Sequence, residues 1–393
     1  MKVLAFEPWY GGSHRRFLDQ WRARTRHDLE VVGLAARRWK WRMRSGAWEL
    51  ARRVTERGLP RPDALCVSDY VDLPALFGEL PASWAGLPAF LYLHENQLTY
   101  PSNPAHGAAK QEIAYGFTNI QSCVRADRVV FNSDFHRREF AAAAGELLDA
   151  LPHPNARAEL EARLSTSTVI APGIDIDAIP PGPGAEPRAP LRVLFNHRWE
   201  HDKDPVAFLE AVAAALAGGA RLELVLLGER FRQSPPGVDE LLDGLDEHVH
   251  HRGFVESAES YAAMLGASDL VVSCARHEFF GLAVCEALAA GCSPLLPERL
   301  SYPEILPPRL HRDGLYSGPD ALVRRLVAHA ADAASLRTPQ RRSSMREAAR
   351  TWSAGATARA LDTVCDELGG LGPASAGLEA RKARLEKSVG PEG

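Results

Sequence analysis

DLVVSCARHEFFGLAVCEALAAG, residues 269–291, holds an apolar run, a polar loop and a small-residue helical pattern in that order, with Gly281 and Leu282 where the helix begins. A strand that feeds a helix through a short loop is the unit of a doubly wound α/β sheet. In such sheets ligands bind beyond the carboxyl ends of the strands, and free amides at a helix start favour anions such as phosphate. The stretch therefore predicts a pocket at its own turn. Glu278 falls in the loop and Glu286 in the second turn of the helix, so the two acids serve different parts of one elongated ligand. A carboxylate only accepts hydrogen bonds and repels phosphate, which makes sugar and ribose hydroxyls its suitable partners. The alternative is a solvated loop glutamate and a surface helix glutamate, but apolar residues on both sides of Glu286 argue against it.

Working outward, the same alternation recurs. The runs VLAF, LEVVGL, ALCV, AFLYL and RVVFN are separated by helical patterns such as AWELARRVTERG and FHRREFAAAAGELL. After PPGPGAEPRAP, whose prolines and glycines continue neither period, the runs RVLFN, RLELVLLG, EHVHHRGF, DLVVSCA and CSPLLP follow. We expect two Rossmann-like, doubly wound parallel-sheet domains: 1–172, an exposed linker at 173–190, 191–369 closed by the helix in WSAGATARALDTVCDELGG, and a flexible tail at 370–393.

Composition agrees with two cores: 393 residues, 46% hydrophobic and 24% charged. The net charge of -4 hides an asymmetry, because the first 57 residues carry 14 Lys and Arg against 6 Asp and Glu. Six cysteines without a C-x-x-C pair suit a reducing compartment. The opening MKVLAFEP enters a strand at once, which reads as no secretion signal, and no window is apolar enough to span a membrane. A soluble, cytoplasmic protein is expected.

Three further stretches carry candidate chemistry. LFNHRWEHDKDP places Arg198 and Lys203 between a strand and a helix, where two cations can neutralise a diphosphate. EPWYGGSH follows the first strand; Gly11 and Gly12 allow close backbone approach at a helix headed by Ser13, with His14 next. This is not the G-x-G-x-x-G of a nicotinamide cofactor. AFLYLHENQLTYP ends a strand in His94, Glu95, Asn96 and Gln97, a polar cluster of the kind that lines a site. RRWKWRMR interleaves Arg37, Arg38, Lys40, Arg42 and Arg44 with Trp39 and Trp41. Cations meet phosphates and indoles stack on exposed bases, although a charged strand with half-buried tryptophans, or a surface for anionic lipid, has the same composition.

The E-x7-E spacing in its strand–helix setting resembles the nucleotide-sugar site of retaining glycosyltransferases of the GT-B fold. Together EPWYGGSH, RRWKWRMR, LHENQLTYP, VFNSDFH, HRWEHDKDP, EFFGLAVCEA and SYPEIL closely resemble the tRNA-queuosine alpha-mannosyltransferases, from residue 1 to about residue 310. The resemblance implies two domains facing a central cleft and transfer of mannose from GDP-mannose to the cyclopentenediol of queuosine in a tRNA anticodon. It implies that Arg198 and Lys203 grip the diphosphate, that Glu278 and Glu286 hold sugar and ribose hydroxyls, and that His94 faces the transferred sugar. Gly11, Gly12, His14, Phe280, Gly281 and Leu282 join the donor site, with Gly228, Gly253 and Phe254 near the base. The basic and tryptophan residues of 37–44, with Glu95, Asn96 and Gln97, fall to the tRNA acceptor. No metal, cofactor or membrane partner is expected. Two rivals are a retaining glycosyltransferase with a glycan or lipid acceptor and another nucleotide sugar, and an RNA-binding module that has lost catalysis.

Overall fold

A computed structural model describes residues 1–101, 113–151, 156–186, 189–228 and 235–370. Among these residues twelve strands make two six-stranded parallel sheets. The first contains β1 (Lys2–Tyr10), β2 (Asp28–Ala35), β3 (Ala64–Ser68), β4 (Ala89–Leu93), β5 (Arg128–Phe131) and β6 (Thr168–Val169) in the order β2-β1-β3-β4-β5-β6. The second contains β7 (Leu191–Phe195), β8 (Leu222–Leu226), β9 (Val249–Arg252), β10 (Leu270–Val272), β11 (Ser293–Pro297) and β12 (Leu315–Tyr316) in the order β12-β11-β10-β7-β8-β9. Every run read as a strand is one: helices over the sheet faces select apolar segments for the inner strands, and the edge strand β9, Val-His-His-Arg, stays half-exposed. In β1, Leu4 and Phe6 enter one core while Val3 and Ala5 enter the other. Period two thus sorts the two faces.

Strand order fixes where ligands go. In the first sheet the winding reverses between β1 and β3, and in the second between β7 and β10. Loops leaving two adjacent strands there diverge to opposite faces and open a crevice beyond the strand ends. The candidate residues after β1, β7 and β10 occupy these two reversals, and those after β4 lie one strand further along the first sheet.

Two boundaries differ from expectation. The chain divides into Met1–Gly173 with the segment from Ala354, and Ile174–Ser353. The helix Ala354–Gly369 leaves the second domain and covers the first sheet, because its stripe of Ala358, Leu361, Val364, Cys365 and Leu368 completes that core. Trp21 Nε1 also donates to Asp362 at 3.0 Å. Residues 174–186 are no exposed linker either: Ile174, Ile176 and Ile179 are buried. Their carbonyls accept hydrogen bonds from two guanidinium groups, with Arg342 reaching Gly182 at 2.6 Å and Arg346 reaching Ile176 at 3.0 Å. Proline and glycine block helix and strand but do not prevent a fastened strap. The expected tail, from 371 onward, lies outside the described residues. All six cysteines are free and buried, and among the described residues no helix is long and apolar enough to cross a membrane.

Candidate active site

In the second unit the loop after β7 meets the loop after β10 around one buried lysine. Lys203 Nζ donates to the His277 carbonyl at 2.8 Å and lies 3.1 Å from Glu278 Oε2 and 3.2 Å from Asp202 Oδ2. Burial alone raises the Glu278 carboxyl, but Lys203, His197 and hydrogen bonds from Lys203 and the Phe280 amide outweigh it and hold the group at about 2. Lys203 shows the reciprocal balance: burial lowers it, while Glu278 and Asp202 carry it above the ordinary lysine value. Burial beside Lys203 holds His197 at about 4, hence neutral. Arg198 stays 48% exposed with Glu200 Oε2 at 3.0 Å. The two expected cations therefore differ in kind. Lys203 is committed to fixing Glu278, whereas Arg198 is half-exposed and paired with Glu200.

The helix Leu282–Ala290 starts at this loop with Gly281 as its N-cap at φ 106°, and no side chain caps its amides. Left-handed backbone of that kind suits glycine. Ser301 Oγ donates to the Phe280 carbonyl at 2.8 Å, and Tyr302 meets Ser273 Oγ at 2.6 Å, so the SYPEIL segment braces the loop. Phe280 is itself buried, with its ring edge-on to Trp352. Leu282 opens the helix, partly covered. Glu286 is buried and accepts from Tyr261 Oη at 2.8 Å, which excludes a surface role. Asn196 Nδ2 extends that chain to the Ala283 carbonyl at 2.8 Å.

Residues expected near the base divide. A Cβ on Gly228 would meet the His197 carbonyl oxygen at 1.6 Å, so this glycine exists for loop packing. Gly253 has φ 137° and open space, and the Phe254 ring beside it is 64% exposed, the condition for a stacking platform.

In the first unit a second polar cluster forms beyond β1, β3 and β4. His14 Nδ1 lies 3.0 Å from Glu7 Oε2, and its ring centroid is 4.0 Å from that of His94. Burial lowers His14, but Glu7, with Asp69 and Glu95 behind it, brings it up to about 9. Burial and the neighbouring His14 push His94 well below the ordinary histidine range. The ligating atoms of Glu7, His14 and His94 lie within 4.8 Å of one another. Within that group Glu7 Oε2 sits directly on His14 Nδ1, the geometry of a buried ion pair when the ring is protonated. Gly11 is the N-cap of the helix Gly12–Arg22 and Ser13 supplies no cap; a Cβ on Gly11 would strike that of Ala36 at 2.4 Å, whereas Gly12, at φ +51°, faces open space. Glu95 accepts from Tyr70 Oη at 2.5 Å and Gln97 Nε2 at 2.9 Å. Asn96 is fully buried and spends its carbonyl on the amides of Leu98 and Thr99, so it shapes the turn and does not line an acceptor site.

RRWKWRMR opens the helix Trp39–Glu56, which starts earlier than AWELARRVTERG suggests, after Arg38 at φ 56°. Trp41 is 69% exposed and Trp48 54%. Seven residues apart, they share one face, with Arg38, Ser45 and Arg52 on the same stripe. Lys40 stands over the Trp39 ring at 5.6 Å and Arg44 over Tyr115 at 4.8 Å. Among the described residues Arg37, Arg38 and Arg44 have no acidic partner. Arg42 differs: Glu49 at 2.6 Å and the Ala35 carbonyl at 3.2 Å occupy it as a structural tie. Trp39 is half-buried against Tyr70 and Tyr115.

Sucrose-phosphate synthase from Thermosynechococcus elongatus has the same architecture, with a TM-score of 0.68 at 15% identity over 95% of this chain and 100% of that one. Anabaena HepE in complex with UDP and glucose superposes at 0.64 with 16% identity, over 93% and 100%. Both likenesses establish the GT-B pair of Rossmann-like domains. The profile described as tRNA-queuosine alpha-mannosyltransferase N-terminal matches residues 2–174, and that of a family 4 glycosyltransferase in conflict systems matches 136–306. A Drosophila melanogaster tRNA-queuosine alpha-mannosyltransferase is 31% identical over 336 residues, 82% of this chain and 85% of the relative. The chain belongs to the tRNA-queuosine alpha-mannosyltransferase family. A GDP-mannose-dependent alpha-(1-6)-phosphatidylinositol dimannoside mannosyltransferase of Mycobacterium tuberculosis is 26% identical over 63% of this chain and 60% of the relative.

This member of the tRNA-queuosine alpha-mannosyltransferase family carries site residues that the sequence reading passed over. Glu7, Asp69, Tyr70, Asp202, His197 and Tyr261 all belong to the two clusters. Glu7 had one signal, a carboxylate directly after the apolar run VLAF. Asp202 sat unremarked in the quoted HDKDP. Tyr261 and Tyr70 had none, because only the sheet order brings them to the crevices. The enzyme class follows from the family: a mannosyltransferase with the chemistry of glycosyl transfer.

Proposed function

We propose that the chain transfers mannose from GDP-mannose, with retention, to a hydroxyl of the cyclopentenediol of queuosine in a tRNA anticodon, in the cytoplasm. The identity to the Drosophila tRNA-queuosine alpha-mannosyltransferase across most of both chains carries the reading. In it the second unit holds the donor nucleotide. The departing diphosphate gains its countercharge from Arg198, Lys203 and the uncapped start of the helix Leu282–Ala290, the main electrostatic task of the reaction. Lys203 keeps Glu278 ionised and aimed, so that carboxylate accepts sugar hydroxyls while Glu286, steadied by Tyr261, accepts those of the ribose. With that countercharge in place no resident metal is required, and activity should survive chelation.

The acceptor falls to the first unit. The cationic stripe with Trp41 and Trp48 suits an RNA strand, its arginines on phosphates and its indoles under unstacked bases. The resemblance to a phosphatidylinositol dimannoside mannosyltransferase supports one rival, a lipid-linked acceptor for the same donor. The test is incubation with GDP-mannose and tRNA bearing queuosine, followed by mass analysis of nucleosides, with a phosphoinositol mannoside in a parallel arm. One hexose added to queuosine is expected. Transfer confined to the lipid arm overturns the acceptor assignment and leaves the donor standing.

A further inference from the structure

Glu7 is a fully buried carboxylate within β1, directly after the apolar run at residues 3–6, where an isolated charge costs several kcal/mol. Its partners are specific. Oε1 accepts from the Trp9 amide at 2.8 Å and Ser68 Oγ at 3.2 Å, which leaves Oε2 on His14 Nδ1 at 3.0 Å. His14 in turn faces Tyr70 nearly parallel, 5.5 Å between centroids, and His94 at 4.0 Å. The main chain of His94 is clamped from both sides, its amide on Asp69 Oδ1 at 3.0 Å and its carbonyl under Asn132 Nδ2 at 2.7 Å. Phe17 and Tyr92 border its ring at 4.9 and 4.6 Å.

We propose that Glu7 is a positioning residue acting through His14: by holding Nδ1 it fixes the orientation and charge of the ring against His94, and so sets the form in which His94 meets a ligand hydroxyl. The surrounding groups agree. His14 faces Glu7 from β1, Asp69 and Tyr70 from the loop after β3, and Glu95 from the loop after β4, so three of its neighbours are carboxyls. His94 faces His14 and, from the helix Asp134–Asp149, His136, beside the phenol of Tyr92. A cationic ring thus adjoins one that resists protonation. A neutral imidazole offers one donor and one acceptor, the match for a hydroxyl; an imidazolium offers donors alone. Only the identity of that hydroxyl rests on the transferase reading.

Imidazole NMR of the full chain without substrate tests the network, with His14→Gln and His94→Gln spectra for assignment. In the native protein His14 should remain doubly protonated to about pH 9, and His94 neutral at pH 6.5. Glu7→Gln should weaken the proton affinity of His14 by roughly tenfold or more, and move the alkaline limb of the kcat profile to lower pH. A purely structural role lowers the amplitude at every pH without moving the limb. Glu7→Asp, which keeps the charge, should return the limb toward its native position. Native His14 that titrates at or below 6.5, or a Glu7→Gln enzyme with an unmoved limb, overturns the proposal. Should Glu7→Gln fail to fold, the native titration alone decides. Expected titrations without any transfer to tRNA would sink the substrate assignment and leave this one intact.

Discussion

The two crevices use one architectural rule and opposite chemistry. Each lies where strand order reverses in a six-stranded parallel sheet. The crevice of the second unit is built on a lysine between carboxylates, Lys203 with Asp202 and Glu278, next to an open helix start. The crevice of the first unit is built on two adjoining, tilted imidazoles and a buried carboxylate. A phosphate ligand needs fixed positive charge. A hydroxyl needs groups that donate and accept without a net field. The difference teaches that topology places a site and side-chain charge decides what enters it.

The largest effect should come from removing the central cation. Lys203→Met leaves Glu278 and Asp202 without their countercharge, so kcat/KM should fall about 10²–10³-fold and stability by about 3 kcal/mol, read by steady-state kinetics and melting. Adding Glu278→Gln to that variant should recover stability without activity. Recovery of both would dissolve the contrast between the crevices.

Acid should distinguish them next. Glu278 titrates at about 2 in the folded protein against 4.5 ordinarily, so its depressed value gives stability that is present above 4.5 and lost as pH falls through about 2. Glu278→Gln should lack that increment, about 3 kcal/mol, in acid unfolding followed by circular dichroism. His14 has the opposite sign. Its raised value supplies stability that is full below 6.5 and lost as pH rises through about 9, so Glu7→Gln should lose mainly the neutral-pH part.

A smaller change should appear at the acceptor face. Trp41→Ala and Trp48→Ala should each weaken tRNA binding about tenfold, measured by filter binding at two salt concentrations, while GDP binding is unaltered. Equal losses for both ligands would contradict the separation of donor and acceptor between the two units. The smallest effect is local. Gly12→Ala puts a side chain at φ +51° in open space and should cost about 1 kcal/mol in thermal unfolding.

Much of this was legible before any coordinates. Short apolar runs alternating with helical patterns define parallel strands between helices, and ten of the twelve strands among the described residues were read directly, the polar edge strand β9 from its place in the alternation. E-x7-E and HDKDP were readable for the same reason, since a loop at a strand end and a helix start have local signatures. What only the tertiary structure decided is long-range. The helix Ala354–Gly369 joins the first core and not the second, because an apolar stripe does not name the sheet it will cover. Glu7 acquires a meaning only when Ser68 and His14, 61 and 7 positions away, close on its two oxygens. Asn96 and Arg42 look like ligand groups in sequence and prove to be fasteners, since a polar side chain declares its type locally while its partner is chosen by the fold.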